Sequence, residues 1–422
     1  MRVAHLSLGD FRNYRTAELE LRAGANLILG PNGQGKTNLV EAIAYFATLR
    51  SHRTSSDTPL IRAGAGAAIA RMKLEAAGRD VLLELQINRE GANRAQVNRN
   101  TVRAREVTRW FSAVAFVPED LTIVRGEPSG RRRFLDDALV SRHPIAAGVL
   151  GDYERVVRQR NSLLKSGRGS ARTVEATLGI WDDQLVEFGS QIMLARRELV
   201  RDLGDPLSAG YRALVDGDHG PALHLSESVV DTLKERGVSR ETRAEGSQSN
   251  VELADVSRET LAQEFRDALS AVRLKEIDRG VTLLGPHRDD LLLTLNDLPV
   301  KGYASHGESW SFALSMKMAL ATLLREESPA GDPVIILDDV FAELDSGRRG
   351  RLMSAVSEFE QVIVTAAVEA DVPREWDWNR VQIRAGEILP AGEQTSGTPE
   401  PKSPADTDPA PGESLSTKDS EQ

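Results

Sequence analysis

The sequence predicts an α/β fold in which mixed sheets carry flanking helices and a helical insert divides the chain. Two short, continuous apolar runs, residues 26–29 and 334–337, are typical of strands that are buried on both faces. Between them, from residue 152 onward, apolar residues recur at three- and four-residue steps, which is the spacing of amphipathic helices. We therefore expect one α/β unit that is assembled from two distant segments.

The first segment carries mainly strand signals. Alternation of apolar and polar residues predicts half-exposed strands, and helical spacing begins soon after the first buried strand. The predicted strands are residues 3–8, 17–21, 68–74, 81–87 and 114–117, and the predicted helix covers residues 38–49. We assign residues 1–145 to the N-terminal part of the α/β unit.

The later segments differ from one another in character. Residues 146–278 have helical spacing and form the predicted insert, although residues 226–258 are polar and weakly periodic, as in a loop or a small irregular extension. Residues 279–388 return to the α/β pattern. Their predicted elements are strands at 281–284 and 291–295 and a helix over 308–325. Residues 389–422 contain much Pro, Ser, Thr, Gly and Glu, and are predicted to be disordered because they bury too little apolar surface to offset the entropy of ordering.

Composition excludes several classes of site. The 422 residues contain no cysteine, which excludes disulfides, thiolate nucleophiles and cysteine-ligated metal centres. No apolar run approaches the ~20 residues that span a bilayer, and no leader segment is evident, so we expect a cytoplasmic protein without a membrane partner. The formal charge of −10 argues against a protein that binds nucleic acid with its whole surface, although local basic patches are compatible with it.

A glycine-rich segment follows the first buried strand and fits the phosphate-loop pattern G-x-x-x-x-G-K-[ST] in full. Its residues are Gly30, Pro31, Asn32, Gly33, Gln34, Gly35, Lys36 and Thr37. Backbone amides of such a loop surround phosphates, while Lys36 reaches the β- and γ-phosphates and Thr37 ligates magnesium. The alternative is a chance match in a glycine-rich turn, which the flanking strand and helix disfavour. The sequence therefore predicts an ATPase that uses ATP and Mg²⁺.

The second apolar run ends in a pair of acids. Asp338 at the carboxyl end of a central strand is placed to hold magnesium, and Asp339 to orient the attacking water, so both are candidate catalytic residues with Lys36. The alternative for such a pair is a solvated turn or a helix cap. The upstream phosphate loop favours the functional reading.

Residues 305–309, Ser-His-Gly-Glu-Ser, precede an amphipathic helix; we call them the signature turn. Small residues there expose a helix N-terminus, which attracts anions. Taken alone, the turn is more typical of an ordinary helix cap, but its position shortly before the acidic strand favours an anion site.

The order of these features resembles the ABC-type P-loop ATPase heads of the SMC class and, more narrowly, the RecF family. The match extends from residue 1 to about residue 367. The stretches that carry it are Phe-Arg-Asn-Tyr at 11–14, Ser-His-Arg-Thr at 51–54, residues 116–121 and 131–136, Leu-Gly-Pro-His-Arg-Asp-Asp at 284–290, and Glu-Leu-Asp at 343–345.

The resemblance implies that two heads dimerise around two ATP molecules. Ser305 and Gly307 would contact the γ-phosphate held by the partner's Lys36, with Glu308 in the same turn and Asp345 across the interface. Asn38 would join the phosphate loop in contacting the nucleotide. The resemblance also implies binding of duplex DNA and of single/double-strand junctions without sequence specificity, a role in replication, repair and the SOS response, and partnership with RecR and RecO in loading RecA at gaps.

The sequence departs from ABC-type patterns at several positions. Asp339 stands where glutamate is usual, which fits slow turnover and a timing role, and residues 364–366 lack a switch histidine. We also expect the turnover to be stimulated by DNA. Glu119 lies near the place of a magnesium-contacting glutamine and is a candidate metal ligand. The aspartate at position 339 and the missing switch histidine disfavour the alternative of a transporter-type ABC ATPase. They leave open a DNA-binding scaffold that uses ATP only for assembly.

The basic triplet Arg131, Arg132 and Arg133 is a candidate for DNA contact, as are the spaced arginines at 103, 105 and 109. A solvated arginine face is the alternative explanation. Residues 287–290, His-Arg-Asp-Asp, form either a second polar site or a turn between strands, and the sequence suggests no mechanism for them.

Overall fold

The computed structural model describes residues 1–166, 171–215, 217, 219–237, 256–384 and 386–389, and for residues 171–176 it describes the backbone only. The predicted disordered tail lies outside these residues apart from Leu389, as does most of the polar segment at 226–258. Met1–Leu389 form one compact unit, so the finer boundaries at residues 145 and 278 stay predictions.

Three sheets contain the described strands. The N-terminal sheet has the order β2-β1-β4-β5-β6-β7, the central sheet β15-β14-β3-β13-β12-β8, and a small sheet β11-β10-β9. The strands are β1 (Arg2–Phe11), β2 (Tyr14–Glu20), β3 (Gly24–Leu29), β4 (Ala67–Ala76), β5 (Arg79–Asn88), β6 (Arg94–Val97), β7 (Asn100–Val102), β8 (Ala113–Phe116), β9 (Ala222–Ser226), β10 (Asp290–Leu295), β11 (Leu298–Pro299), β12 (Val334–Asp338), β13 (Gln361–Ala366), β14 (Asn379–Arg384) and β15 (Glu387–Ile388).

Helices cover both faces of the central sheet. In the described residues they are α1 (Lys36–Thr48), α2 (Leu121–Arg125), α3 (Pro128–Arg142), α4 (Ala146–Ser166), α5 (Ala171–Leu214), α6 (Ser228–Glu235), α7 (Arg258–Arg279), α8 (His306–Glu327) and α9 (Ser346–Val356). Short 3₁₀ turns lie at Thr58–Leu60, Ala104–Arg109, Pro118–Asp120, Val340–Glu343 and Glu369–Asp371, and a kinked turn lies at Val300–Tyr303. None of the described helices is both long and apolar enough to cross a membrane.

The central sheet separates two cores because side chains alternate along its strands. Ile28, Ile336 and Ile363 face α1 and the N-terminal sheet, which together form one core. Leu27 and Leu337 face the other way, toward α3, α8 and the second half of α5. β3, β12 and β13 pair in parallel, which brings their carboxyl ends to one edge. The phosphate loop and the acidic pair therefore meet there, although they are more than 300 residues apart.

The helical insert is not separate from the head. α4, the first half of α5, and α7 pack around their own apolar core, within which the Arg160 guanidinium binds Asp182 and Glu276. The second half of α5 continues into the core of the head. β9, also within residues 146–278, pairs antiparallel with β10 of the following segment. The described elements within residues 146–278 are thus mainly helices, but they include a strand, β9, that the helical spacing did not reveal.

The strand predicted at residues 281–284 is wrong. Side chains rather than a neighbouring strand satisfy this backbone: Asn161 Oδ1 accepts from the Thr282 amide at 2.7 Å and Glu276 Oε1 accepts from the Leu283 amide at 2.8 Å. The Thr282 carbonyl in turn accepts from Arg288 at 3.0 Å. The apolar composition of the segment reflects burial against the helices of the insert.

Candidate nucleotide-binding site

The phosphate loop joins β3 to α1 in a conformation that requires glycine. Gly33 and Gly35 have φ of 80° and 106°, a region that side chains other than glycine rarely adopt. A Cβ on Gly35 would lie 2.6 Å from the Tyr14 hydroxyl, and one on Gly30 would lie 2.5 Å from the Ile383 carbonyl oxygen. Gly35 also leaves the start of α1 without a side-chain cap, so its first-turn amides remain for a bound anion.

Lys36 is buried within this loop, with 3% of its surface exposed. Its ammonium donates to the Gly30 carbonyl at 2.9 Å, to Asn32 Oδ1 at 3.2 Å and to the Pro31 carbonyl at 3.4 Å. Asp339 Oδ1 lies 3.9 Å away. Neutral acceptors therefore hold most of the charge of Lys36, which leaves it available to an incoming phosphate.

Asp338 ends β12 and is buried beside the phosphate loop. The Thr365 hydroxyl donates to its Oδ1 at 2.6 Å, and the Thr37 hydroxyl donates to the same oxygen at 3.3 Å. Burial raises the pKa of Asp338 to about 6, opposed by the hydrogen bond from Thr365 and supported by the negative charge of Asp339. A hydroxyl and a carboxylate at this separation are oxygen ligands of the kind that Mg²⁺ prefers.

Asp339 begins the turn after β12 with φ of 51°, a left-handed conformation that is uncommon for a residue with a side chain. Its amide donates to the Thr365 hydroxyl at 3.0 Å. Since that hydroxyl also binds Asp338, Thr365 fixes both acids of the pair. Asp339 lines a cavity of about 210 Å³ together with Asn32, Glu343 and Asp371. In the sequence, position 365 is marked only by the lack of a histidine, which does not predict this role of Thr365.

Glu119 lies just after β8, the strand that pairs with β12, and it is exposed. Its negative charge contributes to the raised pKa of Asp338, so the two carboxylates belong to one electrostatic cluster. In the part of the chain that the structure describes, no three His, Cys, Asp or Glu side chains form a group that would hold a metal by themselves. Metal ligands beyond Thr37 and Asp338 would therefore include nucleotide phosphates and water.

The stretches at residues 11–14 and 51–54, for which the sequence suggested no individual roles, converge on α1. Asn13 Oδ1 accepts from Asn38 at 2.7 Å, and Asn38 Oδ1 accepts from Arg53 at 2.7 Å. One turn further along, the fully buried Glu41 accepts from Arg12 at 2.8 Å and from Ser51. Burial acts to raise the pKa of Glu41, but the hydrogen bonds from Arg12 and Ser51 outweigh it and lower that pKa. The sequence signal for this buried cluster was an acid, Glu41, inside an otherwise apolar part of a helix.

The signature turn lies beside the Glu-Leu-Asp turn of the same chain. Ser305 caps α8: its hydroxyl accepts from the Glu308 amide at 3.2 Å, and Glu308 Oε2 accepts from the Ser305 amide at 2.8 Å. A Cβ on Gly307 would lie 2.5 Å from Arg348 Nη1, and Asp345 caps α9 by accepting from the Arg348 amide at 2.9 Å. The hydrogen bonds described for Ser305 stay within its own turn and do not reach Lys36.

The basic triplet divides between the interior and the surface. Arg131 is buried, with its guanidinium on Asp290 at 2.7 Å, which contradicts the predicted DNA contact of Arg131. Its position on α3 directs its side chain toward β10. This orientation depends on helix packing and is not evident from the composition of the triplet. Arg132 donates to the Asp289 carbonyl at 2.8 Å, Arg133 binds the Ser51 carbonyl, and both are partly exposed. DNA contact by these two stays a prediction.

Comparisons with known proteins identify relatives of this chain. The family model described as RecF/RecN/SMC N terminal domain matches residues 2–382. A protein of Clavibacter sepedonicus named DNA replication and repair protein RecF is 53% identical over 409 residues, covering 96% of this chain and 99% of that protein. A protein of Leifsonia xyli subsp. xyli with the same name is 52% identical over 395 residues, covering 92% and 99%.

Solved structures agree with the sequence relatives. One described as the recombination mediator protein RecF with ATPrS in the RecFOR pathway superposes with a TM-score of 0.79 at 26% identity, covering 92% of this chain and 97% of that one. A second, described as RecF with ATP, gives a TM-score of 0.76 at 26% identity and covers 92% and 98%. The fold class predicted from the sequence, an ABC-type P-loop ATPase head with a helical insert, is confirmed.

Proposed function

Because the chain belongs to the RecF/RecN/SMC N terminal domain family, and within it to the RecF proteins, we propose that it is an ATP-dependent DNA-binding protein of replication and repair. The observation that carries this proposal is the meeting of Lys36 and Thr37 with Asp338 and Asp339 at one edge of the central sheet. Relatives described as RecF with ATP and with ATPrS support ATP as the nucleotide.

The residues present fit ATP and a magnesium ion. The phosphate-loop amides and Lys36 would hold the phosphates, and Thr37 and Asp338 would hold the metal, with Glu119 a further candidate ligand. The bound ion would neutralise charge on the phosphates. Asp339 then orients the water that attacks the γ-phosphate, and the Thr365 hydroxyl, which binds the Asp339 amide, keeps this residue in position.

The site is incomplete in one chain, which supports an ATP-dependent homodimer. Ser305, Gly307 and Asp345 form an exposed patch whose described hydrogen bonds stay local. In the proposed dimer this patch faces the γ-phosphate held by the partner's Lys36, so that ATP joins the two heads. The dimer clamps duplex DNA or a single/double-strand junction, slow hydrolysis releases it, and RecR and RecO act with it to load RecA at gaps.

Mixing of defective variants tests the shared site. In a dimer of Lys36→Ala with Ser305→Asp, one composite site carries both defects and the other carries neither. Mixing the two inactive proteins is therefore expected to restore up to about half of the wild-type ATP turnover per site. The matched control mixes Lys36→Ala with Asp339→Asn, which damage the same half of the site, and should restore nothing. No recovery in the first mixture, with both variants folded, would exclude a site shared between chains.

Sedimentation of wild type and Lys36→Arg with ATP, Mg²⁺ and gapped DNA tests the clamp. Wild type should dimerise and retain DNA only with nucleotide. Dimerisation independent of ATP together with no DNA retention would refute the clamp. Dimerisation and DNA retention without measurable turnover would instead identify a scaffold that uses ATP only for assembly.

A further inference from the structure

Residues from three distant segments of the chain line a single cavity. Ser51 and Thr54, Arg132 and Arg133, and Pro286 and His287 surround a space of about 580 Å³. Leu49, the residue that follows α1, lines the cavity, whereas Lys36 begins that helix. At 1.5 Å per residue, the two sites are roughly 20 Å apart. We call this space the arginine cavity.

The arginine cavity has a buried floor and an exposed rim. Leu150, Tyr153 and Ile192 form apolar parts of the floor, and each is almost wholly buried. Ser55 and Ser129 lie at the rim and are exposed. Pockets of 300–1,000 Å³ that combine apolar walls with a few polar groups are the usual sites for small organic ligands. The volume and the mixed apolar and polar lining suit a ligand with the dimensions of a nucleotide.

Two arginines at the cavity have unused hydrogen-bonding capacity. Arg196 is 3% exposed and binds Asp136 at 2.7 Å and the Pro286 carbonyl at 2.8 Å, but its buried Nε has no hydrogen-bond partner among the described residues. Arg132 donates to a carbonyl, that of Asp289, rather than to a carboxylate. Burial lowers the pKa of Arg132, and the nearby charge of Arg196 lowers it further. A bound anion would relieve the repulsion between the guanidinium groups of Arg132 and Arg196.

The acids of the cavity already have partners. Asp136 accepts from Arg196, Glu154 lies 3.6 Å from Arg50, and Asp57 accepts from Asn93 at 2.8 Å. His287 hydrogen-bonds the Tyr153 hydroxyl at 2.8 Å, and burial lowers the pKa of His287 to about 4, so this ring is neutral at pH 7. Arg50, Arg133 and Arg196 are paired with carboxylates as well, so among the described arginines of the cavity the positive charge without a carboxylate partner is that of Arg132.

We propose that the arginine cavity binds a nucleoside phosphate, with the phosphate on Arg132 and Arg196 and the nucleoside against Leu150, Tyr153 and Ile192. The same chemistry is offered by a free nucleotide and by the phosphorylated end of a DNA strand, because both present a phosphate monoester attached to a nucleoside. Recognition of a DNA end rests on the proposed DNA binding; recognition of a free nucleotide does not.

Two probes distinguish these sources in the full-length protein with the ATP site saturated by a non-hydrolysable ATP analogue. The first is thymidine 5′-monophosphate, compared with thymidine by calorimetry. The second is a duplex oligonucleotide whose recessed strand ends in a 5′-phosphate, compared with the same duplex ending in a 5′-hydroxyl. Binding of the monophosphate identifies a free nucleotide as a sufficient ligand. A preference for the phosphorylated end without binding of the monophosphate identifies the DNA strand end.

Variants test whether binding occurs in the arginine cavity. Arg132→Ala should weaken binding of the phosphorylated probe at least about tenfold, since it removes a charge-assisted hydrogen bond. Ser129→Glu places a negative charge at the rim in the first turn of α3, where glutamate favours the helix, so it should fold normally and weaken binding similarly. Arg266→Ala, at an exposed position on α7, is the matched control and should bind like wild type.

The proposal is overturned if neither phosphorylated probe binds more tightly than its unphosphorylated counterpart, or if Arg132→Ala and Ser129→Glu bind like Arg266→Ala. ATP hydrolysis by the same variants separates this result from the proposed function. Retained hydrolysis with lost probe binding supports a second site. Hydrolysis lost by Lys36→Ala without any change in probe binding supports the independence of the two sites.

Discussion

The two halves of the candidate ATP site are built in opposite ways. Lys36 and Asp338 are 3% and 2% exposed and are held by groups from distant strands, whereas the side chain of Asp345 is 60% exposed and, like Ser305, it caps the helix that follows it. Burial raises the pKa of Asp338, while hydrogen bonds from the Ser305 side chain and amide lower the pKa of Glu308, and a hydrogen bond from the Arg348 amide lowers the pKa of Asp345. The buried half is arranged in the single chain, whereas the exposed half would take part in the site only in the proposed dimer.

The largest expected effect lies in the buried half. Asp338→Asn removes a charge from the oxygen set that would hold magnesium, and should reduce ATP turnover about a thousandfold, in line with the several kcal/mol that a positioned metal contributes. Phosphate release under saturating ATP and Mg²⁺ measures it. Asp377→Asn, at an exposed position, is the control. Turnover of Asp338→Asn within tenfold of wild type would contradict the assigned site.

The pH dependence of stability should also separate the halves. The folded-state pKa of Asp338 is about 6, above the value of 3.8 for an unperturbed aspartate, so the folded protein binds the extra proton and loses stability as pH rises from about 4 to about 6. In metal-free urea titrations, the unfolding free energy of wild type relative to Asp338→Asn should fall by on the order of 3 kcal/mol across this range. A difference that does not change with pH would show that Asp338 is not destabilised by burial.

Ser305→Asp tests whether the exposed half does more than cap a helix. Aspartate caps as well as serine, so the thermal stability of the monomer should stay near that of wild type. Its negative charge would face the γ-phosphate in the proposed dimer, so ATP-dependent dimerisation should weaken at least about tenfold. Sedimentation with and without ATP measures this. Unchanged dimerisation would leave Ser305 with the structural role alone.

The smallest expected effect is that of Ser305→Ala. Loss of the hydroxyl leaves the Glu308 amide without its cap, which costs about 1 kcal/mol of stability. Urea unfolding of Ser305→Ala beside Ser305→Asp measures the difference. If alanine is no less stable than aspartate, the capping hydrogen bond makes no net contribution.

Several elements were predictable because their signals are local. β3, β12 and the phosphate loop follow from contiguous apolar and glycine patterns, and the strand–loop–helix order fixes where phosphates would meet Lys36. The strand expected at residues 281–284 failed since its apolar residues are buried while Asn161 and Glu276 satisfy its backbone. β6 and β7 were missed because they are short and polar.

The sequence by itself identified the candidate residues for the phosphate chemistry, because the geometry of a strand, a glycine turn and a helix start is set within a few residues. The tertiary structure alone decided which distant groups complete it: Thr365, 27 residues from Asp338, fixes the acidic pair, and Thr37 meets Asp338 across 301 residues. It also turned Arg131 inward and Arg132 toward the arginine cavity. These outcomes depend on how helices and strands pack, which no local pattern encodes.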